Sequence, residues 1–221
     1  MPISEAAPAP GAGVAGPRFL SLDAWVMARP ARGFRFIAAR PRGAGAWMAA
    51  RRPLFVAFVL GCVVSILTAG SVTLRIVGPA TIYWAFVPLV ETLVLAAIVL
   101  GRPRRMSFSA VVDTFFTGHA TWTLFLIAAA TALLVIPARL IWSLLTTWAL
   151  VAMVVVIVWS AYVDFCFFRH LLDRSRASSW RSVLLHRLLT WTVVFAIFAI
   201  PGMTPTRLAR ELVEALGEVF R

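Results

Sequence analysis

The chain has 221 residues, of which 61% are hydrophobic and only 14% are charged. Ordinary soluble domains are about 45–50% apolar and about 25% charged, so this composition argues against a soluble domain. The net charge is +12 and all 21 basic residues are arginine. A basic balance often indicates nucleic-acid binding, but here the arginines flank long apolar runs, which is typical of a membrane protein. The absence of lysine suggests a GC-rich genome and therefore a bacterial source.

The N-terminal part divides into a tail and an arm. Residues 1–17 are rich in Pro, Ala and Gly and are predicted to be disordered. They do not have the positively charged start and apolar run of a signal peptide. Residues 18–52 form an arm in which aromatic residues alternate with arginines. We expect the arm to bind anionic lipid headgroups at the cytoplasmic face, at about 1 kcal/mol per basic residue, and not nucleic acid.

Five apolar runs follow the arm, and together they predict an all-α membrane domain over residues 53–203. Each run approaches or exceeds the roughly 20 residues that a helix needs to cross the hydrocarbon core. The runs cover residues 53–74, 76–100, 119–137, 140–168 and 184–203.

The arginines predict the orientation of these spans. Counted by side, 16 arginines fall on one face of the membrane and 5 on the other, and the two kinds of segment alternate along the chain. Because positively charged segments stay in the cytoplasm, the N-terminus is predicted to be inside and the C-terminus outside.

Two segments outside the spans are predicted to be amphipathic surface helices. In "SFSAVVDTFFTGH", apolar residues recur at helical spacing after Ser107, which can cap a helix. We expect this helix to lie on the inner leaflet. The tail 204–221 has the same character and is predicted to rest on the outer surface or on a partner. The arginines expected to contact headgroups and fix the topology are Arg51, Arg52, Arg102, Arg104 and Arg105.

Three stretches resemble bacterial members of the Ypt-interacting-protein (Yip) domain family, over roughly residues 22–200. They are "DAWVMARPARGFRFIAARPRGAGAWMAARRPLFVAFVLG", "GRPRRMSFSAVVDTFFTGH" and "WSAYVDFCFFRHLLDRSRASSWRSVLL". The resemblance implies five spans with a cytoplasmic N-terminus, in the inner membrane of a bacterium, and implies no catalytic activity. The Tyr-Gly-Pro motif of eukaryotic members is missing, so their partnership with small GTPases is not carried over.

Glu91 is the sharpest candidate for a functional residue, because it interrupts the second apolar run. It lies nine residues before Leu100, about 14 Å from the predicted inner boundary and close to the midplane of a roughly 30 Å core. Pro88 removes a backbone hydrogen bond nearby and is expected to kink the helix. One interpretation is a proton or cation site. The other, which the sequence favours, is a neutral Glu bonded to Thr131 or Thr147 of another span.

The remaining polar candidates lie toward the predicted inner face. Asp164 is expected to be an interfacial anchor that pairs with Arg169 or His170. His119 and His170 could join nearby acids around a metal, but no pair has the spacing of a helix-borne metal motif. We therefore predict no metal, no cofactor and no catalytic residue.

Three functions remain open from the sequence. The first is a non-catalytic integral membrane protein, acting as a scaffold, an accessory subunit or a membrane-organising factor. Its partners would be membrane lipids, copies of itself or a larger membrane complex. The second is a small proton- or cation-coupled transporter or channel that uses Glu91. The third is a lipid-modifying membrane enzyme.

Overall fold

A computed structural model describes residues 21–40, 45–99, 106–136 and 146–199. The tails 1–17 and 204–221, as well as Arg102, Arg104 and Arg105, lie outside this range. The described residues form nine α-helices and one π-helical turn, Phe167–Leu171. The α-helices are α1 Leu22–Ala28, α2 Pro30–Ala38, α3 Ala46–Ala69, α4 Leu74–Trp84, α5 Phe86–Val99, α6 Phe108–Thr117, α7 Ala120–Val135, α8 Thr146–Cys166 and α9 Arg176–Ala199.

Four of the described helical segments are long and apolar enough to cross a membrane, and a fifth would be a bent pair. The four are Ala46–Ala69, Leu74–Val99, Thr147–Leu171 and Arg176–Ala199. The bent pair joins α6 to α7 at an angle of 42°. The first of these helices begins at Ala46, before the apolar run that starts at residue 53, and the last begins at Arg176, before the run that starts at residue 184.

A tight turn at Gly70–Thr73 folds α3 back onto α4. Gly70 has a φ of 65° and ends α3 in the left-handed conformation that glycine adopts without strain. Inside the turn, Ser65 Oγ donates to the carbonyl of Ser71 and accepts from the backbone N–H of Thr73, both at 2.9 Å. We call this end of the molecule the turn end. The opposite end, where α3 begins and α5 stops, is the basal end.

The basal end holds the main hydrophobic core, and the arm contributes to it. Phe34 is fully buried, with its ring centroid 5.7 Å from that of Phe167 in the π-helical turn. Trp25 packs edge-on against Phe36 at 5.0 Å, and Trp159 Nε1 donates to the carbonyl of Met27 at 2.9 Å. These aromatic residues of α1 and α2 therefore pack inside the protein.

The helix α6 also lies in this core. The sequence predicted an amphipathic helix on the leaflet surface, with one apolar face. In the structure every residue from Ala110 to Thr117 is buried, Asp113 among them. The prediction of a helix after the Ser107 cap is correct, since Ser107 Oγ accepts from the N–H of Ala110 at 3.3 Å. Its position is different, because α3, α1 and α5 contact it from several sides.

Candidate functional site

Glu91 on α5 pairs with His119, which stands at the bend between α6 and α7. The distance from His119 Nε2 to Glu91 Oε2 is 3.1 Å. The two threonines suggested by the sequence are not the partners that the structure places here. Thr131 Oγ1 instead donates to the carbonyl of Ile127 in its own helix, at 2.8 Å.

The helix that carries Glu91 is interrupted at Ala85, about one turn before Pro88. Proline has no backbone N–H, so the helical hydrogen bond that would cross this interruption from residue 88 is missing.

A second histidine approaches the same residue from α9. His186 is buried, and its Nε2 lies 3.1 Å from the backbone carbonyl oxygen of Glu91. The ring of Phe115 packs against both imidazoles, with its centroid 4.8 Å from that of His186 and 5.1 Å from that of His119. This packing holds His119 beside the carboxylate of Glu91 and His186 beside its backbone carbonyl.

Asp164 on α8 belongs to a neighbouring ion pair. Arg187 Nη2 donates to Asp164 Oδ2 and to Ser160 Oγ, both at 2.8 Å, and Arg187 Nε donates to the same carboxylate oxygen at 3.1 Å. The sequence suggested Arg169 or His170 as the partner. Arg169 turns elsewhere and donates to the carbonyl of Arg174. The Asp164–Arg187 pair thus joins α8 to α9 within the bundle.

These groups surround a cavity of about 50 Å³ between α5, α7, α8 and α9. A site needs roughly 10–15 Å³ of such volume for each water molecule, so this cavity has room for about three to five. Thr190 lines it, and the buried Thr190 Oγ1 has no hydrogen-bond partner among the described residues. A buried hydroxyl facing a polar cavity of this size is well placed to bond to water.

The charges around the cavity nearly balance. Glu91 and Asp164 are acidic, Arg187 is basic, and two imidazoles complete the set. The formal charge is −1 when both imidazoles are neutral and zero when one is protonated. No group of three or more His, Cys, Asp and Glu in the described part of the chain is arranged to hold a metal ion. The arrangement suits the binding of protons and water.

The cluster lies toward the basal end of the bundle. Glu91 follows Leu74 by 17 residues, which places it about 26 Å from the turn end along α4 and α5. Arg51 precedes Ala69 by 18 residues and lies about 27 Å from the same end along α3. The acid and the arginine are therefore at similar heights.

Arg51 and Arg52 form a separate network around Asp113, whose side chain is fully buried. Arg51 donates to Asp113 through Nε at 2.7 Å and through Nη2 at 2.9 Å. Arg52 Nε donates to Asp113 Oδ1 at 2.9 Å, and Arg52 Nη1 reaches Asp23 on α1. Arg51 and Arg52, expected to contact headgroups, thus also join α3 to α6, and Arg52 links α3 to α1, while the Arg51 side chain stays 43% exposed.

His186, Arg187 and Thr190 were not predicted as site residues from the sequence. A signal was present, because Ser160 and Asp164 are four residues apart, as are His186 and Thr190. Residues four apart lie on one face of a helix, so each pair marks a polar patch on an otherwise apolar helix. His170, in contrast, lies in the π-helical turn and does not line the cavity.

The described chain is therefore an all-helical protein with four or five apolar helices long enough to cross a membrane and a polar cluster between them. No protein-family model matches the chain, and no curated protein or solved structure matches it either.

Proposed function

We propose that the chain is an integral membrane protein that binds and releases protons at the Glu91–His119 pair, and that it acts as a small proton-coupled transporter or channel. The observation that carries this proposal is the cavity on which five ionisable side chains converge from three helices and from the bend between α6 and α7. From the sequence, Glu91 is a lone acid, which argues against transport. The gathering of partners around it removes that objection, since ionisable groups inside a membrane bundle commonly mark proton pathways.

The geometry supports a proton that moves between a carboxylate and an imidazole. His119 Nε2 and Glu91 Oε2 are at hydrogen-bond distance, so a proton can reside on either group. Water in the cavity would link this pair to Thr190 and to Asp164. Arg187 is a positioning residue in this scheme, because it holds Asp164 through two donors.

The location of the cluster bears on the side from which protons enter. We propose that the basal end faces the cytoplasm of a bacterium and that the bundle lies in the inner membrane, as the arginine distribution favours. A hydrocarbon core of about 30 Å that starts at the turn end would reach only about 4 Å beyond Glu91. This placement differs from the position near the midplane that the length of the apolar run predicted. Proton exchange would then take place from the cytoplasmic side, across only a few ångströms of protein.

The test is proton flux into proteoliposomes that contain the purified chain under an imposed pH gradient. Glu91→Gln keeps the size of the side chain and removes its titration, and we expect the flux to fall by about tenfold or more. Asp173→Asn is the matched control, because Asp173 is an exposed acid outside the cavity. Equal flux from wild type and Glu91→Gln, or no flux from wild type above that of empty vesicles, would refute the proposal.

A second candidate function is a non-catalytic scaffold, accessory subunit or membrane-organising factor of the Yip type. It is favoured by the face that α1 and α2 present at the basal end, where Arg29, Arg32, Arg35 and Arg40 are exposed. A photocrosslinker introduced in place of Arg32 should capture a partner chain or a second copy in native membranes. If neither is captured while the protein is inserted and folded, the scaffold function is contradicted.

A further inference from the structure

We propose that a groove between α1, α3 and the α6–α7 segment binds one phospholipid whose headgroup carries both a phosphate and a primary ammonium. The groove has a volume of about 510 Å³, within the 300–1,000 Å³ that is usual for ligand pockets. It contains none of the polar side chains around Glu91. The inference therefore does not depend on proton transport.

The polarity of the groove changes along its length in the same sense as a phospholipid. Its mouth at the basal end is lined by Asp23, Arg51 and Arg52. Phe55, Leu124 and Ile127 line the wall that continues toward the turn end.

The rise per residue of the helices gives the distance over which the apolar wall extends from the charged mouth. Phe55 is one turn beyond Arg51 along α3, about 6 Å further from the basal end. Ile127 is seven residues beyond Ala120 along α7, which is about 10 Å. A headgroup at the mouth would therefore place the first part of an acyl chain against the apolar wall.

The charges at the mouth favour a zwitterion. Two arginines and two carboxylates, Asp23 and Asp113, sum to zero, and the Asp113 side chain is fully buried between the arginines. The charged side chains that remain most exposed are those of Arg51, at 43%, and Asp23, at 38%. A phosphate can accept a hydrogen bond from Arg51, while an ammonium group donates one to Asp23.

The same arrangement discriminates against two common headgroups. A phosphocholine headgroup has no N–H with which to donate to Asp23. A phosphoglycerol headgroup brings a negative charge and no cation, so it leaves the carboxylate of Asp23 without a partner of opposite charge. The proposed occupant is thus a lipid of the phosphoethanolamine type.

The experiment measures the lipid that remains bound after extraction. The full chain is reconstituted in vesicles that contain equal amounts of phosphatidylethanolamine, phosphatidylcholine and phosphatidylglycerol, then extracted in mild detergent and examined by native mass spectrometry. We expect one phosphatidylethanolamine to remain on most molecules. Three outcomes would refute the proposal: no lipid is retained, one of the other two lipids is retained by preference, or a second copy of the chain is retained in place of lipid.

Two variants show whether the retained lipid occupies this groove. Leu124→Trp fills the groove, whereas Leu134→Trp adds the same bulk on α7 outside it, and the two leucines are similarly exposed, at 55% and 47%. We expect Leu124→Trp to lower retention by about fivefold and Leu134→Trp to leave it unchanged. Equal retention by both variants would place the lipid elsewhere. Asp23→Asn should lower the preference for phosphatidylethanolamine over phosphatidylglycerol, and an unchanged preference would remove the role of Asp23.

Discussion

Asp113 provides a quantitative test of how the arm is held against the bundle. Its buried carboxylate accepts three hydrogen bonds from two arginines of α3, and one of these arginines continues to Asp23 on α1. The substitution Asp113→Asn keeps the shape of the side chain but removes its charge and replaces one acceptor oxygen by a donor. It leaves two guanidinium groups facing each other without a carboxylate between them.

The expected loss follows from the burial of the three groups. Removal of one partner from a buried ion pair costs about 3–5 kcal/mol. Arg51 and Arg52 retain 43% and 19% side-chain exposure, so water can replace part of what they lose. We therefore expect a loss of about 2–3 kcal/mol in the free energy of unfolding, because hydrogen bonds to charged groups contribute about 1.5–3 kcal/mol. For a chain of this size the unfolding midpoint should fall by roughly 4–12 °C.

The assay is thermal unfolding of the detergent-solubilised protein, followed by circular dichroism, together with limited proteolysis by an arginine-specific protease. Asp173→Asn is the control, since it neutralises an exposed acid. Cleavage within α1 and α2 should become faster in Asp113→Asn than in the control. If the two variants unfold within about 1 °C of each other and are cleaved at the same rate, Asp113 does not hold the arm and this account of the network is wrong.

Two further predictions concern packing and depth. A Cβ added at Gly61 would lie 2.3 Å from Thr81 Oγ1 and 2.8 Å from the carbonyl oxygen of Val77, whereas a Cβ at Gly78 would meet nothing within 4 Å. Gly61→Ala should therefore lower the stability measured by thermal unfolding by about 1–3 kcal/mol and Gly78→Ala should not, and equal midpoints would contradict this close α3–α4 contact. Fluorophores on single cysteines at Phe58 and Leu89, in a chain without its native cysteines, should show by lipid-attached quenchers that Phe58 is about 6 Å closer to the midplane. A deeper Leu89 would contradict the height assigned to Glu91.

Much of the helical framework follows from the sequence, because a run of apolar residues long enough to span a bilayer has few other stable states. The turn at Gly70 and the helix after Ser107 also carry local signals. The position of α6 does not, because its buried surface depends on contacts with α3, α1 and α5 that are distant in the chain. An amphipathic pattern shows that one face is apolar. It does not show whether the opposite face meets headgroups or, as at Asp113, two arginines of another helix.

The candidate site was predictable only in part. Glu91 stands out because it is an acid within an apolar run. Its partner, however, depends on the bend between α6 and α7, which places His119 next to Glu91 on α5. Asp164 was predicted to have a basic partner, and it has one. The partner is Arg187, however, and not one of the neighbours of Asp164 in sequence. Pairing between residues 23 positions apart depends on how α8 and α9 pack, and no local pattern determines that packing.

The two polar networks differ in how strongly their stability depends on protonation. At Asp113 two permanently charged guanidinium groups surround the carboxylate, so protonation would break several strong hydrogen bonds at once. At Glu91 the partner is an imidazole, which, unlike a guanidinium group, can give up its proton and remain in place as a neutral group. The chain thus contains both an ion network suited to holding helices together and, at a similar height in the bundle, a pair suited to exchanging a proton. A network like that around Asp113 would be enough for a purely structural role. The presence of a histidine as the partner of Glu91 is what favours proton exchange at that site.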